Sequence, residues 1–344
     1  MTESRLDTLG MFDALVRTPE LIVSSVDAAQ DLEGLPPLGS IHNVLVLGVG
    51  DSGAAGDLVT VTAGPFMPVP VVVVKNYLPP SYVNENTLVF AVSYSGNATE
   101  TLEASTAAAE AGAPVVAITS GGVLADRAAI WGAATVLVDD TIPSPRAAFS
   151  SLAVTMLIVL EDLGLFPGAT QWVIHAIEQL RRRRNEIAGQ DSFVDDIADR
   201  LLGTAPLIQG GGGIGGVAAD RWKTQINVNA KMPAFSSMLP NLGHNEIQGW
   251  ATKGDRTREL LTAVQLRHEH EHPLVGRGFE VVNAMIEGVV AGSIEVRAAG
   301  DGPVAQMLDL MMVGDAVSLS LAHRLGVDPG PAPAIDELEA RLRQ

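Results

Sequence analysis

"TLVFAVSYSGNATET", Thr87–Thr101, decides how this chain folds. An apolar run, Thr87–Val92, stops at Ser93, Tyr94, Ser95 and Gly96, and a helical pattern resumes behind it. A continuous apolar run of that length suits a strand covered on both faces, hence a parallel sheet. "NVLVLG" (Asn43–Gly48), "VPVVVV" (Val69–Val74), "APVVAIT" (Ala113–Thr119) and "ATVLVD" (Ala134–Asp139) repeat the pattern, with alanine-rich stretches such as Thr99–Ala111 between several of them. This rhythm predicts a doubly wound α/β domain, whose ligands bind at the carboxyl ends of the strands. The crowd of hydroxyls and glycine stands at such an end.

The alternation restarts after a helical interval, Ala147–Leu163 and Gln171–Ile187. "APLIQG", "LLTAVQL" and "GSIEVRA" read as strands; Val217–Asn229, Gly276–Val289 and Gln306–Leu325 read as helices. Two similar α/β halves are expected, 1–163 and 164–344, with the break where "GLFPGATQ" supplies Gly and Pro. A proline-rich linker and a short helix end the chain.

Composition narrows the function. With 344 residues, 47% of them hydrophobic, the chain can build substantial cores. Its apolar runs are strand-sized, shorter than the roughly 20 residues of a membrane span, so no membrane partner is expected. The start lacks a basic stretch followed by an apolar one, and a cytoplasmic location is expected. There are no cysteines, which removes disulfides, thiol nucleophiles and cysteine-based metal sites. The formal charge of −18 disfavours nucleic acid as a partner. An anionic small molecule can bind only through local donors.

Such donors are present. "LGVGDSGAAGD" carries Gly48, Gly50 and Gly53 at G-x-G-x-x-G spacing, which permits a tight turn and brings N–H groups towards a phosphate. A dinucleotide site also wants an acid at the end of the second strand, but that strand ends in Lys75 and Asn76. Only a cofactor bearing a 2′-phosphate fits that reading. Ser93, Ser95, Thr99 and Thr101 favour a phosphate ester, because hydroxyls and helix N-terminal amides bind a dianion without net positive charge. The plainer alternative is that Ser93 and Ser95 cap the helix.

"SYSGNATET" resembles the S-x-S-G-x-T signature of sugar isomerase (SIS) domains, which bind phosphosugars. "GVGDSG", "ITSGG" (Ile118–Gly122), "PSPRAAFSSL" (Pro143–Leu152), "NVNAKMPAF" (Asn227–Phe235) and "HNEIQGW" (His244–Trp250) follow in the order found in bifunctional phosphoglucose/phosphomannose isomerases. The resemblance runs from about residue 40 to the C-terminus. It implies two SIS-type subdomains, each a mostly parallel, flavodoxin-like sheet flanked by helices. It further implies a homodimer, a phosphorylated hexose as ligand, and aldose–ketose isomerisation of glucose 6-phosphate and mannose 6-phosphate to fructose 6-phosphate. No metal or organic cofactor is implied. By resemblance Ser52, Ser93 and Ser95 anchor the phosphate in loops shaped by Gly50 and Gly96. Arg146 stands beside the enediolate, and His244, from the partner subunit, opens the sugar ring. Outside these motifs an arginine in a surface ion pair and a hydrogen-bonded structural histidine would be the plainer readings.

Four positions depart from the family pattern. Val228 replaces the base glutamate of N-E-N-A-K, and Glu339 reverses the charge of a terminal-helix lysine. Ala98 replaces the third phosphate donor, and Asp51 replaces a loop glycine. Valine cannot carry a proton, and a positioned general base typically contributes about 10²–10⁴-fold. Either Glu246 or Glu100 serves as base, or the protein binds a phosphosugar without isomerising it, as a sensor or regulator.

Other stretches are weaker. "RHEHEHP" sets His268, His270 and His272 at alternate positions, which invites a metal, but interleaved glutamates and the proline favour a solvated turn. "GDSG" (Gly50–Gly53) has no protease surroundings. "QGGGGIGGVA" (Gln209–Ala218) is expected to serve close helix–strand packing, and "RRRR" (Arg181–Arg184) to be a solvated helix end.

Overall fold

The computed structural model describes residues 6–37, 39–189, 192–250 and 256–342. The chain divides into two compact units. One comprises Arg17–Leu180 with Gly300–Ala305; the other comprises Met1–Val16, Arg181–Ala299 and Gln306–Gln344.

The first unit is built on β1 (Asn43–Leu47), β2 (Val71–Val74), β3 (Thr87–Val92), β4 (Val115–Thr119) and β5 (Ala134–Leu137). They form one parallel sheet in the order β2-β1-β3-β4-β5. The runs expected from sequence are these strands, trimmed at their ends. β2 begins at Val71 rather than Val69 because Pro70 has no N–H for the ladder; its carbonyl still accepts from Val44 N at 2.9 Å. β1 residues Val44–Leu47 and all of β3 are fully buried, as continuous apolar runs require of strands covered on both faces. Leu45, Leu47, Val89 and Ala91 share a core with alanines of the helix Thr99–Glu110 and with Leu124 and Ala128 of the helix Gly122–Trp131. On the helix Gly50–Thr62, a Cβ at Gly56 would lie 2.7 Å from Val46 Cγ1, so glycine there lets helix and sheet approach. The helix Phe149–Asp162 is buried along nearly its whole length and packs against Gly50–Thr62 and Thr18–Ala29.

The second unit repeats the plan with β6 (Ala205–Gly211), β7 (Phe235–Leu239), β8 (Leu261–Arg267) and β9 (Gly292–Arg297), parallel in the order β7-β6-β8-β9. The strand β7 and the helices Thr18–Ala29 and Phe193–Leu201 were not read from sequence. β7 is an edge strand, exposed at Phe235 and Met238, and its Phe-Ser-Ser-Met-Leu carries no continuous apolar run.

The helix Pro303–Leu325 corrects the reading that no segment is long and apolar enough to cross a membrane. It is a core helix: 89% of its apolar window is buried inside the protein. Its Asp309 and Asp315 are tied to Arg183 and Arg221 respectively. Arg183 likewise corrects the expectation of a solvated arginine run: its side chain is 12% exposed and binds Asp309 at 2.8 and 2.9 Å.

Candidate functional site

In the first sheet the strand order reverses between β1 and β3, so the turns that follow them lead to helices on opposite faces and leave a crevice. Gly48 and Val92 end the two strands so closely that a Cβ on Gly48 would lie 2.9 Å from Val92 O. Gly53 is equally confined, its notional Cβ 2.5 Å from Gly48 O. Gly50 has φ +55°, which a side chain would disfavour. The glycine spacing thus serves one left-handed residue and two close approaches.

Ser52 lies in the first turn of Gly50–Thr62, and Ser93 directly after β3; they are 6% and 4% exposed. The backbone N–H of Tyr94 donates to Ser52 Oγ at 3.4 Å, joining the two turns. Ser95 is exposed, and its Oγ accepts from Asn97 N at 3.2 Å. Gly96 takes φ +68°, and a Cβ there would lie 1.9 Å from Gly121 O. No side chain fits. The neighbouring "TSGG" turn locks on: Leu124 N donates to Gly96 O at 2.9 Å, and Ser120 N and Oγ donate to Tyr94 O at 2.8 and 2.7 Å.

The helices Gly50–Thr62, Thr99–Glu110 and Gly122–Trp131 all begin at this edge; the first two have no side-chain cap, whereas Val123 N at the start of the third donates to Asn97 Oδ1 at 3.3 Å. Ser93 and Ser95 therefore do not cap the following helix; Ala98 occupies its N-cap. The first N–H groups of a helix have no internal partner and suit an anion. Ser52, Ser93, Ser95, Gly50 and Gly96 are together here.

Arg146 belongs to the same unit and is itself buried, on the connection from β5 to Phe149–Asp162. The Tyr94 phenol donates to Ile142 O at 2.7 Å and lies 3.1 Å from Asp139 O, both on that connection. Burial first, then the carboxylates of Asp139 and Asp140, push that phenol up to about 12. Glu100 accepts from the Tyr77 hydroxyl at 3.2 Å, and its charge raises the Tyr77 pKa. Lys75, which a 2′-phosphate would need, is ion-paired with Asp57.

His244 belongs to the other unit, exposed at the end of the 3-10 turn Asn241–His244. Val228 lies in the last turn of the helix Gly212–Asn229, Glu246 opens the helix Glu246–Trp250, and Glu339 is exposed on the helix Pro333–Leu342. Around Val228 the motif is structural. Asn227 Oδ1 accepts from Ala234 N at 2.9 Å, Asn229 Nδ2 donates to Ser318 Oγ at 2.9 Å, and Lys231 Nζ donates to Val228 O and Pro331 O. The second switch point, between β6 and β8, is packed shut. A Cβ at Gly210 would lie 1.9 Å from Gly215 O, and one at Gly211 2.9 Å from both Glu271 Oε1 and Phe279. That is the close packing expected of this glycine run.

His268 corrects the solvated-turn reading: it is buried, and its Nε2 lies 2.7 Å from Gly211 O. Burial holds its pKa below the usual histidine value. His272 caps the helix Pro273–Ile286, its Nδ1 accepting from Leu274 N at 3.2 Å. Among the described residues no group of three or more His, Asp or Glu is placed to hold a metal ion.

Known proteins fit this architecture. Residues 38–162 match the SIS domain family, and residues 192–342 match the family described as the bacterial phospho-glucose isomerase C-terminal SIS domain. A bifunctional phosphoglucose/phosphomannose isomerase of Caldicellulosiruptor bescii is 32% identical over 341 residues, covering 97% of this chain and 99% of that one. This chain belongs to that family. The Aquifex aeolicus protein of the same name is 30% identical, over 80% of this chain and 82% of that one. In fold, tagatose-6-phosphate ketose/aldose isomerase of Escherichia coli superimposes with a TM-score of 0.70 at 16% identity, covering 94% of each chain.

Within the family framework, Tyr94 and Ser120 are polar links that the sequence reading missed. Tyr94 is the unspecified position of S-x-S-G, and only its aromatic character in a polar turn hinted at a buried role.

Proposed function

We propose that this phosphosugar isomerase family member binds a hexose 6-phosphate at the β1/β3 switch point. Ser52, Ser93, Ser95 and the uncapped helix N-termini hold the phosphate. One observation carries the reading: two helices without side-chain caps, Gly50–Thr62 and Thr99–Glu110, begin behind two hydrogen-bonded, serine-bearing turns. A dianion satisfies orphan N–H groups there without any lysine. In the reaction we propose, glucose 6-phosphate and mannose 6-phosphate convert to fructose 6-phosphate. Arg146 supplies the fixed positive charge where the enediolate forms, and His244 transfers the ring-opening proton. His244 is exposed on its own subunit, which suits service in a partner's site. A cytoplasmic homodimer goes with this proposal.

Val228 and Glu339 favour a second reading, a protein that binds the sugar without turning it over, as a sensor or regulator. The proton shuttle between C1 and C2 needs a base, and valine has none. Incubation with fructose 6-phosphate in deuterated water separates the readings. Isomerisation places deuterium at C2 of the aldose; binding with no exchange leaves the second reading. If exchange is absent, Val228→Glu with Glu339→Lys restores it provided these two groups are the whole loss. A protein that neither binds nor exchanges fructose 6-phosphate at millimolar concentration has neither function.

A further inference from the structure

We propose that Tyr94 is a positioning residue that sets the Arg146 connection against the phosphate turn. The inference rests on the phosphosugar reading of the site and extends it.

Tyr94 is held at both ends. Its main chain is fixed into the turn: its N–H goes to Ser52 Oγ, and its carbonyl takes Ser120 N at 2.8 Å and Ser120 Oγ at 2.7 Å. Its ring is buried, and its hydroxyl ends on Ile142 O at 2.7 Å, four residues before Arg146. The connection has further ties of its own. Val138 N donates to Thr119 O at 2.9 Å, Thr141 N and Oγ1 close on Asp139 Oδ1, and Ala147 and Ala148 N return to Ser144 O. Between Thr141 and Ser144 the Tyr94 phenol joins this stretch to the turn that carries Ser93 and Ser95. A phenol pushed up to about 12 stays protonated, so it remains a donor throughout the working pH range.

The consequence is specific. Phosphate anchoring uses the turn itself, whereas charge stabilisation at the sugar's C1–C2 end uses Arg146. Loss of the phenol oxygen leaves the turn's main-chain bonds in place and removes the link from the turn to Ile142 on the Arg146 connection. A displacement of about 1 Å at a positioned group can cost about 10²-fold.

The test uses the full-length protein and needs no turnover. Wild type, Tyr94→Phe, Arg146→Gln, the double variant and Ser120→Ala are titrated with inorganic phosphate and with 5-phospho-D-arabinonate. The carboxylate of that aldonate stands where the enediolate oxygens would form. Tyr94→Phe is expected to leave the phosphate Kd within about twofold and to weaken aldonate binding about tenfold. Arg146→Gln should weaken the aldonate at least as much, and the double variant no further than Arg146→Gln alone. Ser120→Ala removes a hydroxyl that bonds the Tyr94 carbonyl and bears on the phenol as well, so it should shift the ratio of the two affinities in the same direction as Tyr94→Phe, by less. Equal weakening of both ligands by Tyr94→Phe, or losses that add in the double variant, overturns the proposal. Should Tyr94→Phe not fold, amide hydrogen exchange of residues 139–148 in the wild type decides. Saturating phosphate slows exchange there if the tie exists, and no change overturns it. A wild type that binds neither ligand removes the phosphosugar reading, and this inference goes with it.

Discussion

Ala98 shows how much one atom group can matter at a helix start. It holds the N-cap of Thr99–Glu110 with φ −66° and ψ 115°, a conformation that suits a capping side chain, yet it brings no acceptor. Ala98→Thr supplies one. It should raise stability by about 1 kcal/mol, read as a higher urea midpoint at unchanged slope. The same hydroxyl restores the third position of the S-x-S-G-x-T signature, so phosphate affinity should rise rather than fall. A midpoint that stays put or drops would show that this helix start is satisfied some other way. His268 makes the opposite kind of point, since its burial could not be read from "RHEHEHP". Its neutral ring is packed beneath Gly211, and burial lowers its folded pKa. As pH falls below the unfolded value of about 6.5, the unfolded chain takes up a proton that the folded chain refuses. Stability is therefore complete above that pH and is lost as pH falls towards the folded pKa. Urea midpoints between pH 7.5 and 5.8 should fall more steeply for the wild type than for His268→Gln; equal slopes would refute the assignment.

At the scale of elements, legibility followed burial. β1, β3 and β4 were plain in the sequence because strands covered on both faces must be apolar throughout, and the residues of β3 and β4 are all buried. The edge strand β7 was not, since serines at 236 and 237 meet no such demand. The glycine turns were legible because positive φ and close approach leave few alternatives to glycine. Ties between distant elements were hidden, because nothing local marks them. Arg183 on Ala169–Ile187 and Asp309 on Pro303–Leu325 are 126 residues apart, and the carboxylate is fully buried. Asp309 Oδ2 also accepts from Ala299 N at 2.8 Å, so the pair holds a helix to a strand's exit as well. Arg183→Met should cost about 3–5 kcal/mol, because it strands a charge in the interior. Adding Asp309→Asn should recover much of that loss by removing the charge. If the double variant is no more stable than Arg183→Met in thermal or urea unfolding, the carboxylate is not the source of the cost.

The whole molecule sets a condition that its parts must meet: a formal charge of −18 surrounds a site proposed for a dianion. In sites built on lysine and arginine, added salt weakens anion binding because it screens the attraction. In the proposed site the phosphate donors are hydroxyls and helix amides, whose contacts act at short range and are little affected by salt. The long-range field of the acidic surface does the opposite work, repelling the approaching ester over about 10 Å at 0.1 M ionic strength and about 30 Å at 0.01 M. Raising ionic strength from 0.01 to 0.15 M should therefore speed association of fructose 6-phosphate, by about two- to fivefold, and leave dissociation nearly constant. Stopped-flow binding at several salt concentrations, with a non-binding salt such as potassium chloride, reads both rates. Affinity that falls steadily with salt would mean that cations do the anchoring. The neutral-donor account of Ser52, Ser93 and Ser95 would then have to give way to one centred on arginine or lysine.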